Sequence, residues 1–511
     1  MSKLRILLVP TLMACLGAVA EERIEYDAYV RAQASTGDFA PYMIGSWDNG
    51  RATAANGVWQ GASAHRRLDT DRRFSWSYGA EYIAGYNSAF SYGRYDAATS
   101  SWTAHSVRPS AVRLIQLYGE VKFRAVYLLA GMKERHGRIV EDGLSSGDLI
   151  RSNNARPIPG VAAGFLDFVD IPFTNGWVQI DGEIMYGRMT DDGFDRGMFN
   201  RYTGVLTSDL CYTYKRCYFR TKPSQPFSVT VGMQAAGLFG GSSAWYRYGR
   251  HELTENRGFQ VRDLWDMFFP SEGSGEGYYK GSSLGSWDFK ARYAFADGSR
   301  LSAYFEWPWE DGSGIGRRNG WDGLWGLQYD FGRRGIVESI VVEYLDFTNQ
   351  SGPVHLTPSD QPGTNLGSEA NGGDNYFNNE FYGPYANYGM AIGTPFLLSP
   401  MYNTDGYAAF AHNRARGFHA AARGSIGGQW RWRAMLSYQK AGGEGRFPAP
   451  RKLHDTSAMA EGIWRPADIL DGLELKAQVA YDHGELRGNN FGACIAVSYS
   501  GILSIGKKKD R

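Results

Sequence analysis

Several spacings in this chain could carry covalent or metal chemistry. Gly143-Leu-Ser-Ser-Gly147 and Gly281-Ser-Ser-Leu-Gly285 both have the G-x-S-x-G form of a hydrolase nucleophile. That motif works only on a sharp turn between a strand and a helix. Both strings lie in Gly/Ser-rich loop sequence, so the match is read as chance. Asp191-Asp192-Gly193 with Asp195 lacks the spaced ligands and terminal Glu of a calcium loop. His136, His251, His355, His412 and His419 show no H-E-x-x-H arrangement. Cys211, Cys217 and Cys494 have no zinc-ligand spacing. Cys211 and Cys217 flank Tyr-Thr-Tyr-Lys-Arg and are read either as a small disulfide or as two thiols. The expectation is no catalytic residue, no metal and no cofactor.

A second chemistry fits better. Sugars present apolar C–H faces to aromatic rings and hydroxyls to carboxylates, amides and guanidinium groups. Two stretches combine these residue types. One supplies Trp309, Glu310, Asp311, Arg317, Arg318, Trp321 and Asp322; the other supplies Tyr376, Asn378, Asn379, Tyr382, Tyr385 and Tyr388. The expected glycan contacts are Trp309, Glu310, Asp311, Trp321, Asp322, Tyr376, Asn378, Asn379 and Tyr382. The competing reading is that these side chains pack long loops and touch no ligand.

The elements that must position them are strands. Val178–Tyr186 alternates Val178, Ile180, Ile184 and Tyr186 with Gln179, Asp181 and Glu183. Trp287, Phe289, Ala291 and Tyr293 alternate with Asp288, Lys290 and Arg292. Leu473, Leu475, Ala477 and Val479 alternate with Glu474, Lys476 and Gln478. Strands with one apolar and one charged face suit either a soluble sandwich or a membrane barrel. Connection lengths decide between them. Tight turns such as Asp297-Gly298-Ser299 and Gly332-Arg-Arg-Gly335 alternate with long loops at 133–160, 239–285, 309–323 and 348–411. Short periplasmic turns and long external loops mark outer-membrane barrels. The fold predicted is an all-β, transmembrane, antiparallel outer-membrane β-barrel of about 18 strands, its mouth occluded by long external loops and its C-terminus periplasmic. One helix is expected within Asn256–Phe268, in an external loop.

Composition agrees. The 511 residues include 32 Tyr, 15 Trp and 65 Gly, while mean hydropathy is −0.40. With 54 basic and 53 acidic side chains there is no basic excess to attract nucleic acid. Residues 1–20 read as a secretory signal: Lys3 and Arg5, an apolar stretch, then Ala18-Val19-Ala20 before Glu21. A loose lipobox, Leu12-Met13-Ala14-Cys15, gives the rival reading of a lipid anchor. Residues 21–511 are read as one transmembrane barrel.

Four stretches together resemble the Wzi family of capsule-assembly proteins, in its Bacteroidetes-type form. They are Gly131-Met-Lys-Glu134 with Gly143-Leu-Ser-Ser-Gly147, Ser152-Asn-Asn-Ala-Arg-Pro-Ile-Pro-Gly160 and Ile171-Pro-Phe-Thr-Asn-Gly-Trp177; Glu310-Asp-Gly-Ser-Gly314 with Asp322-Gly-Leu-Trp-Gly326; Glu343-Tyr-Leu-Asp-Phe-Thr-Asn-Gln-Ser-Gly-Pro353; and Asp374-Asn-Tyr-Phe-Asn-Asn379 with Gly393-Thr-Pro395 and Asn413-Arg-Ala-Arg416. The resemblance implies a non-catalytic outer-membrane lectin of a Gram-negative bacterium that helps assemble or attach capsular or other surface polysaccharide. The expected partners are that polysaccharide, outer-membrane lipid and the barrel-insertion machinery, with the protein a monomer. A diffusion porin is the alternative function, and an outer-membrane enzyme the third. Two features depart from the family: no helical plug is legible, and the last residues, Lys507-Lys-Lys-Asp-Arg511, are charged where many barrels place an aromatic.

Overall fold

The computed structural model describes residues 22–269, 281–310, 319–351, 373–445, 447–466 and 468–505. The expected signal, the lipobox, Asp311, Arg317 and Arg318 lie outside these residues. Eighteen antiparallel strands form one closed barrel. In chain order they are Glu22–Ser35, Gly57–Arg66, Phe74–Asn87, Val112–Phe123, Val126–Met132, Gly160–Phe165 continued by Val169–Asp170, Val178–Arg188, Cys211–Thr221, Phe227–Phe239, Gly281–Ala294, Arg300–Trp309, Gly323–Asp330, Ser339–Asp346, Ala415–Ile426, Trp430–Gly443, Pro448–Trp464, Leu473–Gly484 and Asn490–Ile505. The first strand pairs with the last along its whole length, Glu22 opposite Ile505 through Ser35 opposite Gly492, which closes the sheet and removes both edges.

Burial runs opposite to that of a soluble protein. On Gly281–Ala294, Asp288 is 0% exposed while Phe289 is 41% and Tyr293 45% exposed. On Leu473–Gly484, Gln478 and Asp482 are buried while Val479 and Tyr481 are exposed. Polar groups point inward and rings and branched chains point outward, as hydrocarbon around a barrel requires. A water-soluble sandwich would show the reverse.

The two ends differ as expected. One carries turns of a few residues, such as 124–125, 222–226 and 295–299, and the other carries the long connections. Trp430–Gly443 and Pro448–Trp464 are long strands that stay paired as far as Gly443 opposite Pro448. The expected helix within Asn256–Phe268 forms at Val261–Phe268. Its start is fixed by Gln260 and Asp263, which bond reciprocally to each other's backbone N–H groups. Lys215 Nζ donates to the terminal carbonyls of Met267 and Phe268.

One expectation is corrected. The segment 133–159 does not stand outside the barrel; it enters the lumen. Lys290 Nζ donates to the Ile139 carbonyl at 2.6 Å, Arg433 to the Gly143 carbonyl at 2.8 Å and His419 Nε2 bonds the Leu144 carbonyl at 2.9 Å. Glu343 accepts from Ser145 Oγ at 2.6 Å and the Ser146 N–H at 2.7 Å, and Glu306 from the Leu149 N–H at 2.8 Å. A second segment, 36–56, joins it through the one-turn helix Tyr42–Gly45, with the Tyr42 N–H on Asp482 at 2.8 Å. The barrel therefore has a plug, but an irregular one, which is why no helical periodicity revealed it. The alternative left open at Cys211 and Cys217 resolves to thiols. Both are free thiols on the strand Cys211–Thr221. Six residues of extended chain separate them by roughly 20 Å, far beyond the reach of a disulfide, whose Cα atoms lie about 4–7 Å apart.

Candidate functional site

The strands Arg300–Trp309 and Gly323–Asp330 bring the first group of expected contacts to the long-loop end, and residues 373–414 fold over the mouth as a cap that brings the second. Glu310 and Asn319 tie the wall to the cap at Phe377 and Tyr376, while other expected contacts bond along the rim or within the cap. Asp322 is 3% exposed; its two carboxylate oxygens accept from the N–H groups of Asn349 (3.1 Å) and Gln350 (2.8 Å). Burial pushes its carboxyl up to about 6, against the pull of those two N–H groups and the Tyr376 hydroxyl. Tyr376 is buried, its hydroxyl accepting from Asn319 Nδ2 at 2.9 Å, and burial raises it well above the ordinary tyrosine value. Glu310 accepts the Phe377 N–H at 2.5 Å.

The amides are equally occupied. Asn378 Nδ2 donates to the Phe410 carbonyl at 3.1 Å, and its Oδ1 accepts the Phe410 N–H at 2.8 Å. Asn379 Oδ1 accepts the N–H groups of Phe381 (2.9 Å) and Tyr382 (3.1 Å). Tyr382 is buried beneath the Arg257 guanidinium, 4.6 Å from the ring centre. These contacts give the residues a structural part: they build the cap.

The two tryptophans part company. Trp309 is buried with its ring over Gly285 of the adjacent strand, where any Cβ would stand 2.3 Å from the indole. Trp321 is 70% exposed. It stacks on Trp307 at 5.6 Å and 18° and leans on Trp325, which itself stacks on Phe305 at 3.8 Å. Leu327 on the strand Gly323–Asp330 and Phe289 on the strand Gly281–Ala294 also turn outward, so this ladder of rings belongs to the outer wall. Aromatic belts of this kind sit at membrane interfaces.

Sequence reasoning missed the groups that hold the cap and plug. Glu444 is 1% exposed and accepts from Asn375 (2.8 Å), Asn378 (3.2 Å) and the Tyr407 hydroxyl (3.1 Å). Inside the lumen, Glu183 faces Arg135, Arg151 and Arg216 at 2.6, 2.7 and 3.0 Å. The signal was present in 133–151, where Arg135, Arg138, Arg151 and Asp148 mingle with Ile139, Val140, Leu149 and Ile150, too apolar a mixture for a solvated loop. Between plug and short turns lies a polar vestibule of about 560 Å³, lined by groups such as Arg31, Arg51, Lys133, Asp27, Glu81 and Glu134. Ser145 of the first G-x-S-x-G string is 1% exposed and gives its hydroxyl to Glu343, not to a histidine nitrogen. The second string begins the strand Gly281–Ala294, and no helix follows it.

Among solved structures, the chain is similar to Wzi, described as an outer-membrane protein involved in group 1 capsule assembly in Escherichia coli and as a carbohydrate-binding β-barrel. The match has a TM-score of 0.55 at 14% identity and covers 92% of this chain and 83% of that one. The chain folds as an outer-membrane barrel. Acinetobacter baumannii OccAB2 (TM-score 0.48, 9% identity, 94% and 98% coverage) and Pseudomonas aeruginosa OccK3 (0.45, 10%, 94% and 96%) are further structural neighbours. No family model and no curated protein sequence matches the chain.

Proposed function

We propose that this protein is a polysaccharide-binding barrel of the outer membrane that helps assemble or attach capsular or other surface polysaccharide, with its long-loop end outside the cell and its C-terminus in the periplasm. The observation that carries this reading is the double closure of the lumen. A plug tied to strands around the barrel lies beneath a cap built from 373–414, an arrangement suited to presenting a surface and poorly suited to passive diffusion. The carbohydrate-binding description of the Wzi structure, which shares the fold, supports it. In this reading Glu310, Asp322, Tyr376, Asn378, Asn379 and Tyr382 serve the glycan indirectly, by holding the cap.

A selective channel is the second reading, favoured by the charged vestibule below the plug. Planar-bilayer recording of the purified barrel, together with polysaccharide retention in a deletion strain, separates the two. The proposal expects little steady conductance and a loss of cell-bound polysaccharide. A large, permanently open conductance with unchanged retention would overturn it.

A further inference from the structure

We propose that the tips of three long loops form a platform for an acidic, carboxylate-bearing polysaccharide, with Tyr95, Trp102, Tyr202 and Tyr248 as the stacking surface and Arg94 and Arg201 as anion partners. This inference rests on the glycan-binding reading above and gives it a site and a ligand class.

The rings come from separate parts of the chain. Tyr95 and Trp102 stand opposite each other on the hairpin Phe90–Asp96 and Ser101–Val107. Tyr202 comes from the turn before Gly204–Ser208, and Tyr248 from the turn between Ser242–Arg247 and Arg250–Asn256. They converge into one cluster. Tyr95 lies 5.6 Å from Trp102 and 4.9 Å from Tyr202; Tyr202 lies 5.1 Å from Trp102 and 6.0 Å from Tyr248. Trp102 is 50% and Tyr248 71% exposed, so the cluster keeps open faces.

The platform is held by backbone bonds between loops. The Tyr95 N–H donates to the Asn200 carbonyl at 2.8 Å and the Gly249 N–H to the Tyr202 carbonyl at 2.9 Å. Buried Asn200 in turn accepts the Tyr202 N–H on its side chain at 2.8 Å, while its own N–H donates to the Gly406 carbonyl of the cap at 2.8 Å. Gly249 is required, since a Cβ there would stand 2.1 Å from the Tyr95 ring. Rings fixed in this way lose little freedom when a ligand arrives.

Charge selects the ligand. Arg94 donates to the Gly197 carbonyl at 2.8 Å, and its Nε has no partner among the described residues. Arg201 is exposed, held at the tip with φ of 60°. Both cations lie near enough to His105 to depress its affinity for a proton, after burial as the first cause. Among the described residues neither guanidinium forms an ion pair: Asp96, still charged, accepts from the Ala98 N–H and the Thr99 hydroxyl, and Glu252 pairs with Arg247 at 3.6 Å. Stacking rings beside unneutralised guanidinium groups suit sugars that carry carboxylates.

The test uses the full barrel in detergent, with alginate, polygalacturonate and hyaluronan as acidic probes and dextran as the neutral one. Binding is measured for the parent, for Trp102→Ala with Tyr248→Ala, and for Arg94→Gln with Arg201→Gln, each checked for heat-modifiable migration. The expected result is binding to at least one acidic polymer, salt-sensitive and much stronger than to dextran, and weakened about tenfold or more in each double variant. Acidic binding that both variants retain would remove the platform while leaving the glycan reading intact. Equal binding to dextran would overturn the acidic class. If the parent binds none of the four polymers, the proposal fails. Unchanged polysaccharide retention in the deletion strain would then fail the broader reading separately.

Discussion

The two faces of the barrel wall carry opposite chemistry on the same strands. Inward, Asp181, Glu183, Arg216, Asp288, Glu306 and Glu343 are almost wholly buried. Outward, Phe289, Tyr293, Leu327 and Trp325 are exposed. The inner groups act through a few short, specific bonds to the plug, and each is hard to replace. The outer groups act through area, which neighbours share. The same size of substitution should therefore have very different consequences on the two faces, with the rim between them.

The inner face gives the largest expected effect. Glu183 is the shared partner of Arg135, Arg151 and Arg216, and its side chain is 3% exposed. Asp181 already serves Arg138 at 3.1 Å and Arg216 at 2.9 Å. Glu183→Gln leaves buried guanidinium charge with too few partners, a loss of about 3–5 kcal/mol. The urea midpoint of the folded barrel should fall accordingly, and the 133–159 segment should become open to protease. A variant as stable as the parent would show that these ions do not anchor the plug.

The rim comes next. Asp322 joins the strand end to the cap, and burial raises its carboxyl from 3.8 to about 6. A carboxyl raised on folding binds its proton more tightly in the folded chain. Its stabilising contribution is complete below about pH 4 and is lost as the pH rises through about 6. The swing is on the order of 2 kcal/mol. Asp322→Asn should flatten the difference in unfolding midpoint between pH 4 and pH 7.5; an unchanged pH dependence would place the titrating group elsewhere.

The barrel was legible because it is written in local terms. Period-two alternation and turn lengths depend on near neighbours, so the expected strands agree with the structure to within a few residues, as at Val178–Arg188 and Leu473–Gly484. The plug was not legible, because whether a loop turns in or out depends on partners far along the chain, such as Glu343 for Ser145 or His419 for Leu144. The site was harder still. Trp309, Trp321 and Trp102 are the same residue type in loop or rim sequence, yet one is buried over Gly285, one faces outward and one stands at a tip beside arginines. Composition registers aromatic content but not the neighbours that decide its use.

Trp321→Ala is the smallest expected effect and the sharpest test of that distinction. Its ring is mostly exposed and touches Trp307 and Trp325 on the outer wall, where Phe305 and Trp325 remain stacked without it. Losing one ring contact of this kind is worth under about 1 kcal/mol. The barrel should assemble normally and its unfolding midpoint should barely move. Polysaccharide retention should match the parent, because this ring stands among lipid-facing neighbours on the outer wall and not in the cluster at the loop tips. Measured alongside Trp102→Ala with Tyr248→Ala, this variant gives the comparison a sign. If Trp321→Ala loses retention while the tip variant keeps it, both barrels being intact, the glycan lies along the outer rim and the platform at the loop tips only packs its own loops.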